Sequence, residues 1–280
     1  MRNGDDVHRP DDTRPVRAAD DGYAAAMYLG IDHLVIAVAD PDDAVAAFER
    51  AIGPAPTGGG RHDALGTFNR VVWLGDTFVE FIGVFDPELA SASWVGAPTL
   101  RALDAGGGLA TWAIASDDLD GDVADLRDGG SGFGPSRRGE RRRQDGAVVR
   151  WRLAAPDRLG PDEPPFLIEH DVTAAEWTPA DRAWRVAEAQ ALRGPLELHV
   201  LELPANDPNG ASQRLLRAVG LRFRPSLAGG GARDANIGRQ IVRLRPRHDG
   251  VTTPTIRLRG PVPKETVVEL FGCRWSLSRA

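Results

Sequence analysis

GIDHLVIAVADPDDAVAAFERAIG, residues Gly30–Gly53, joins a short apolar strand to an amphipathic helix through an Asp-Pro step. Side chains alternate along a strand, so Ile31, His33, Val35 and Ala37 share one face and Leu34, Ile36 and Val38 the other. Asp40 stands where an N-cap accepts backbone N–H groups, and Pro41 fits the first helical position. Val45, Phe48 and Ile52 recur at three-to-four spacing and form the stripe that packs on the sheet, and Gly53-Pro54 ends the helix. The helix covers the wholly apolar strand face, which leaves His33 pointing to the opposite, concave side.

The unit recurs as GLATWAIASDDLDGDVADLRDGG from Gly108 and as LELHVLELPANDPNGASQRLLRAVG from Leu196. No single copy can bury its own apolar face, so the copies pack on one another. Further strands follow each helix. After the first come GRHDALGTFNRVVWLG and TFVEFIGVF, separated by the hairpin signal Gly75-Asp76; after the second, Ala147–Leu153 and Phe166–Ile168; after the third, Ile237–Leu244, Thr255–Leu258 and Val267–Phe271. The expected fold is α+β, with three tandem βαβββ modules in the chain. Residues 1–27, polar and without either apolar period, read as a disordered tail. Residues 28–172 hold two paired modules, 173–194 a helical connector, and 195–280 the third module.

The chain has 280 residues, 42% of them hydrophobic, enough for a large core. Its formal net charge of −6 argues against a general nucleic-acid binder, and no apolar run is long enough to span a bilayer. The acidic N-terminus is unlike a signal peptide, so a cytoplasmic location is expected. One cysteine, Cys273, excludes an internal disulfide and a Cys-rich zinc site, leaving His and carboxylate as metal ligands; it reads as a free packing thiol. The one basic run, RRGERRR from Arg137 to Arg143, reads as a solvated strand edge or loop, with an anion site as the alternative. No Walker-type loop and no GxSxG elbow is present.

IDHLVIAVADPDDAVAAF, GGGRHDALGTFNR, FVEFIGVFD, RWRLA and PPFLIEHD resemble the vicinal oxygen chelate superfamily, which holds glyoxalase I, bleomycin-resistance proteins and extradiol dioxygenases, and look most like its glyoxalase-like branch. The resemblance covers residues 29 to 172 well and 195 to 272 more weakly. It implies paired βαβββ modules whose curved mixed sheets enclose a cleft, often with a divalent metal. His33 and Glu80 are then the first module's metal ligands, and Glu169, on the second module's last strand, completes the set, with His170 as the fallback. Zn, Ni, Co, Mn or Fe would suit such ligands.

Read from the residues, Glu80 is a carboxylate in an otherwise apolar strand. Burying it unpaired costs several kcal/mol, so an inward Glu80 needs a metal, a cation or a proton. Seven residues before its helix cap the second copy has Thr111 where the first has His33, so a symmetric second histidine is missing. His62, at the end of a glycine-rich entry, is placed at the cleft mouth as a ligand or an acid–base group. Glu80, Glu169 and His62 are the candidates for moving a proton, and Thr67, Asn69, Trp112 and Trp151 for binding substrate. His199 with Glu269 is a weaker metal pair, because His199 falls one place off register and only a bulge would turn it inward.

Three functions remain open: a metal-dependent lyase or isomerase acting on a small vicinal-oxygen substrate, a metal-free small-molecule binder of the bleomycin-resistance type, and an extradiol-type iron dioxygenase using His33, His62 and Glu80. The expected partner is a small molecule, with no nucleic acid and no membrane. The third module would offer a homodimer its unpaired sheet.

Overall fold

The computed structural model describes residues 28–143, 146–185, 187, 194–247 and 252–280. The expected tail, residues 1–27, lies outside the described residues, as do residues 186 and 188–193 of the expected connector. Eight strands close a barrel in the order β1-β4-β3-β2-β6-β7-β8-β5. They are β1 (Gly30–Ala37), β2 (Gly58–His62), β3 (Thr67–Leu74), β4 (Thr77–Val84), β5 (Gly108–Ala115), β6 (Arg137–Arg142), β7 (Val148–Ala154) and β8 (Phe166–His170). Each half repeats one plan: β4 runs parallel to β1, β8 parallel to β5, and β1 meets β5 antiparallel. On the far side the wall closes through one pairing of β2 with β6, Arg61 opposite Arg142.

Helix α1 (Pro41–Ile52) starts as its sequence dictates. Asp40 accepts from the Asp42 and Asp43 N–H groups, Pro41 takes the first position, and Val45, Phe48 and Ile52 are buried. Each such side chain contributes about 1.5–3 kcal/mol by leaving water. These residues join Leu34 and Ile36 of β1 in the largest core cluster, while Val35 and Ala37 belong to a separate cluster inside the barrel. The alternation read from the sequence therefore holds at these positions. In the second half α4 (Leu119–Asp128) takes the place of α1. Helices α2 (Pro87–Ser91) and α3 (Gly96–Asp104) follow β4, and Val95, Trp94 and Leu103 cap the barrel interior from that side.

A second sheet of seven strands runs β10-β11-β12-β9-β13-β15-β14. Its strands are β9 (Glu197–Ala205), β10 (Arg224–Pro225), β11 (Arg233–Ile237), β12 (Gln240–Pro246), β13 (Thr255–Gly260), β14 (Thr266–Leu270) and β15 (Cys273–Arg279), with α6 (Pro208–Val219) after β9. Its organisation departs from the three-module expectation. The strands that follow α6 are β10, β11 and β12, with β12 parallel to β9. Thr255–Leu258 and Val267–Phe271, read as further strands of the third module, instead fall in β13 and in β14 with the turn after it. β13 runs antiparallel to β9, as β5 does to β1, and β15 runs parallel to β13. These last strands repeat part of a module without its helix, a truncation that left no strand–Asp–helix signature in the sequence.

The barrel and the second sheet share one core. The largest cluster runs from Leu34, Phe48 and Trp112 to Leu201, Leu215 and Trp275, and Phe48 meets Trp275 edge-on at 4.9 Å. Gln240 ties the assemblies further, accepting from the Ile31 N–H at 2.7 Å and donating to Thr77 Oγ1. Of the connector, α5 (Pro179–Trp184) is described, capped by Thr178. Ahead of it Trp177 meets Trp73 of β3 edge-on at 5.3 Å. Cys273 is buried and unbridged, its thiol pushed up to about 12 by burial. Among the described residues no helix is long and apolar enough to cross a membrane.

Candidate active site

The barrel encloses a cavity of about 70 Å³. Its chemistry begins at an irregularity in β1. The pairing with β5 shifts between Ile31 and His33, and such a bulge re-aims side chains. Asp32 and His33, adjacent in sequence, meet there: Asp32 Oδ1 lies 2.5 Å from His33 Nδ1. The same carboxylate is 3.1 Å from His170 Nε2, at the end of β8. Burial alone would raise the Asp32 carboxyl, but the charge and hydrogen bond of His170, followed by those of His33, hold it well below the usual carboxylate range. A carboxylate only accepts, so His33 carries a hydrogen on Nδ1 and His170 on Nε2. The two outer nitrogens, His33 Nε2 and His170 Nδ1, are left for other partners.

His33 Nε2 faces Glu80 Oε2 at 3.7 Å. Glu80 is 8% exposed, so its charge is not dispersed into bulk water. Its other oxygen accepts from Asn69 Nδ2 at 2.5 Å. β3 and β4 are antiparallel with Val71 opposite Glu80, which puts Asn69 on the same wall two residues away. Phe78 stacks on the His33 ring at 4.4 Å and Phe166 meets it edge-on at 5.3 Å, fixing the imidazole from two sides. His62 also lines the cavity, with Nδ1 at 3.0 Å from Thr67 Oγ1. Burial lowers its pKa; Glu80 opposes that shift and Arg141 adds to it.

Two charged residues complete the lining. Arg141 of β6 is buried and donates to Gly59 O at 2.6 Å and to Glu176 Oε2 at 2.8 Å. Glu176 adopts φ 72°, a left-handed conformation unusual for a residue with a side chain. Its neighbour Trp177 stacks on His170 at 3.8 Å. Trp94, Trp151, Phe78 and Phe166 supply further aromatic wall.

Of the residues singled out in the sequence, His33, Glu80, His62, Asn69 and Trp151 line this cavity. Thr67 lies behind His62 and reaches the cavity through it. Glu169 does not face the cavity. Its Oε2 accepts from Arg152 at 2.7 Å and from the Leu119 N–H at 2.9 Å, at the start of α4; one step along the strand, His170 takes the inward place. Trp112 is a correction too: it is fully buried in the core between barrel and second sheet, because it alternates with the inward-facing Ala113, the strand partner of His33. Asp32, Arg141 and Glu176 were missed. Asp32 needed the bulge to be seen, and the Arg141 strand read as a solvated edge.

The metal expected from the resemblance requires three protein ligands converging at about 2.0–2.2 Å. Among the described residues no group of three His, Cys, Asp or Glu side chains converges in this way. His33 Nε2 and Glu80 Oε2 face each other, but Glu169 is held outside by Arg152, and His170 offers Nε2 to Asp32. The residues present do not fit the His33–Glu80–Glu169 set. Nor does a second metal pair form in the other sheet: Glu269 is exposed, 3.7 Å from Arg274.

In structure, the chain is similar to a hypothetical protein from Staphylococcus aureus, with a TM-score of 0.72 at 12% identity over 89% of this chain and 99% of that one. Methylmalonyl-CoA epimerase from Streptomyces coelicolor aligns at 21% identity over 51% of this chain and 99% of its own, with a TM-score of 0.38. The Mycobacterium tuberculosis epimerase gives 21%, 54%, 92% and 0.37 for the same quantities. No curated protein matches the chain in sequence. The model of the glyoxalase-like domain matches residues 31–225, most of the chain, and the protein therefore belongs to the glyoxalase-like domain family of the vicinal oxygen chelate superfamily.

Proposed function

We propose that the barrel cavity is the active site of an isomerase or lyase that moves a proton on a small substrate carrying adjacent oxygens. The observation that carries this reading is the line Asp32–His33–Glu80, which runs from a buried carboxylate through an oriented imidazole to a second carboxylate in an enclosed cavity. Glu80 Oε2 is the base that takes a carbon-bound proton, while the electron pair moves into the neighbouring carbonyl. His33 Nε2, 3.7 Å away, can take that proton from Glu80 and give it to the carbonyl oxygen, so that the intermediate is a neutral enediol, and the reverse transfers return the proton to carbon. Asp32 orients the ring and stabilises the imidazolium formed in that exchange.

The test is deuterium exchange. Small α-hydroxy ketones and α-hydroxy aldehydes are incubated with the protein in D2O, and incorporation at carbon is followed by NMR. Exchange that depends on Glu80 and is lost in Glu80→Gln supports the reading; binding with no exchange in any compound sinks it. The second outcome favours a metal-free binder of the bleomycin-resistance type, for which Thr111, in place of a second histidine, is the specific observation. The metal-dependent form of the reaction has its own check: elemental analysis of the protein beside His33→Ala and Glu80→Gln, where metal present in the parent and lost from both variants is the result that restores it.

A further inference from the structure

The polar atoms that the cavity leaves without a protein partner are of one chemical kind. Asn69 Oδ1, His170 Nδ1 and Glu176 Oε1 are buried and receive no hydrogen bond from any described residue, and all three side chains line the cavity. Asn69 Oδ1 is an acceptor by nature, and its orientation is fixed, since only Nδ2 can donate to Glu80 Oε1. His170 directs Nε2–H at Asp32, so Nδ1 is an acceptor whenever the ring carries a single hydrogen. Glu176 Oε1 lies 3.7 Å from Arg143 Nη1, beyond hydrogen-bond reach. Two more acceptors face inward: Glu80 Oε2 and, by the same tautomer argument, His33 Nε2.

Donors are scarce on the same surface. The guanidinium of Arg141 lines the cavity but directs its terminal groups at Gly59 O and Glu176 Oε2. His62 meets the Thr67 hydroxyl at Nδ1, and where that hydroxyl donates, His62 Nε2–H is a donor left on this surface. A buried acceptor without a donor costs about 1–3 kcal/mol, and more when it is charged, so these atoms discriminate strongly between ligands. A carboxylate or phosphate brings acceptors to acceptors and places a negative charge beside Glu80. A ligand that brings N–H or O–H groups satisfies Asn69, His170 and Glu80 together.

We infer that the cavity takes a small ligand with an apolar body and a hydrogen-bond-donating end, an ammonium or hydroxyl group, and rejects carboxylate and phosphate ends. This inference rests on the cavity being the ligand site, as the proposed function holds, but not on turnover. The aromatic walls at Phe78, Phe166, Trp94, Trp151 and Trp177 receive the apolar body and suit a cation over a ring face.

The experiment uses the unmodified protein and three probes of one shape: n-butylammonium, n-butanol and butyrate. Tryptophan fluorescence reports binding, since three tryptophans line the cavity. The expected result is that butylammonium or butanol binds at least about tenfold more tightly than butyrate, the factor that one satisfied rather than repelled polar contact supplies. In Glu80→Gln, butylammonium weakens by a similar factor and butanol by clearly less, and the difference between the two losses separates an ammonium site from a hydroxyl site. Butyrate binding as tightly as the better of the other two overturns the inference, and so does a lack of response to all three probes. Because the readout is binding, a protein that fails the deuterium-exchange test and still prefers donors retains this inference while losing the proposed reaction.

Discussion

Five residues before the helix cap the barrel has Val35, with strand partners Glu80 and Thr111, and the second sheet has Glu202, with partners Arg243 and Thr255. Seven before the cap stand His33 and Val200; at the bulge between strands lie Asp32 and His199. The same positions are thus used in opposite ways. The barrel closes around Glu80 and leaves acceptors over for a ligand. In the second sheet Glu202 is buried, yet Arg243 and Arg257 bind its Oε1 at 3.1 and 2.5 Å, and Arg245 stands 3.7 Å from Oε2. Arg243 in turn holds Asp234 through two hydrogen bonds. One register gives an enclosed cavity where the wall closes and a self-neutralised ion network where it stays open.

The strongest test of this contrast is whether the two assemblies fold as one. Trp275 of β15 is fully buried against Phe48 of α1. Trp275→Ala is expected to cost about 3–5 kcal/mol in denaturant unfolding while keeping a single transition. Two separate transitions would show that barrel and sheet are independent units that touch. Next in size is Glu202→Ala, which leaves the nearly buried Arg243 short of one carboxylate. The loss expected is about 2–3 kcal/mol, below the full cost of a broken buried pair because Arg257 is 39% exposed. Butylammonium binding in the barrel should be unchanged at temperatures where the variant stays folded.

How much of this could be read in the sequence follows from the same comparison. Counting back from the Asp caps located His33 and exposed the missing histidine at Thr111, because caps and alternation are local and nearly rigid. Glu80 stood out as a lone carboxylate in an apolar strand. Bulges are harder: an extra residue leaves no compositional mark, so Asp32 carries no signal in the sequence, whereas His199, one place off register, lies in the bulge of β9 beside the arginine network. The resemblance points to Glu169 rather than His170, but the Arg152 and Leu119 contacts that hold Glu169 outside depend on tertiary structure. Arg141 was unreadable for another reason. Its run of arginines has the composition of a surface, and Glu176, brought from outside the module's strands, joins Gly59 O in offsetting the burial of one of them.

Asp32→Asn probes the barrel side alone. The wild-type carboxyl titrates below its unfolded value near 3.8, so the folded state binds fewer protons than the unfolded state in acid. The stability that Asp32 supplies is then complete above about pH 4 and drains away as pH falls below that value. At pH 7 the variant should be less stable by about 2 kcal/mol, the scale of a charge-assisted hydrogen bond. The gap should begin to narrow below about pH 4 and shrink steadily as both proteins are taken to lower pH in urea titrations. A gap independent of pH would mean that shape rather than charge holds the two histidines.

The smallest effect separates the two regions most sharply. His62 in the barrel and His199 in the sheet both have lowered pKa values, and burial is the leading cause for each, but His199 is additionally pushed down by Arg259, Arg243 and Arg257. For a histidine lowered in the folded state, the unfolded chain holds more protons below about pH 6.5, so stability falls as pH drops beneath that point. Replacing either residue with Gln should flatten that part of the curve, His62→Gln more than His199→Gln because His62 is enclosed. Salt then distinguishes the causes. The arginines around His199 sit at an open face and are screened within about 8–10 Å at ordinary ionic strength, so high salt should shrink the His199 contribution and leave that of His62 in place. Equal salt sensitivity at the two sites would mean that the barrel interior is as open to ions as the sheet, and the contrast between an enclosed site and a solvated network would fail.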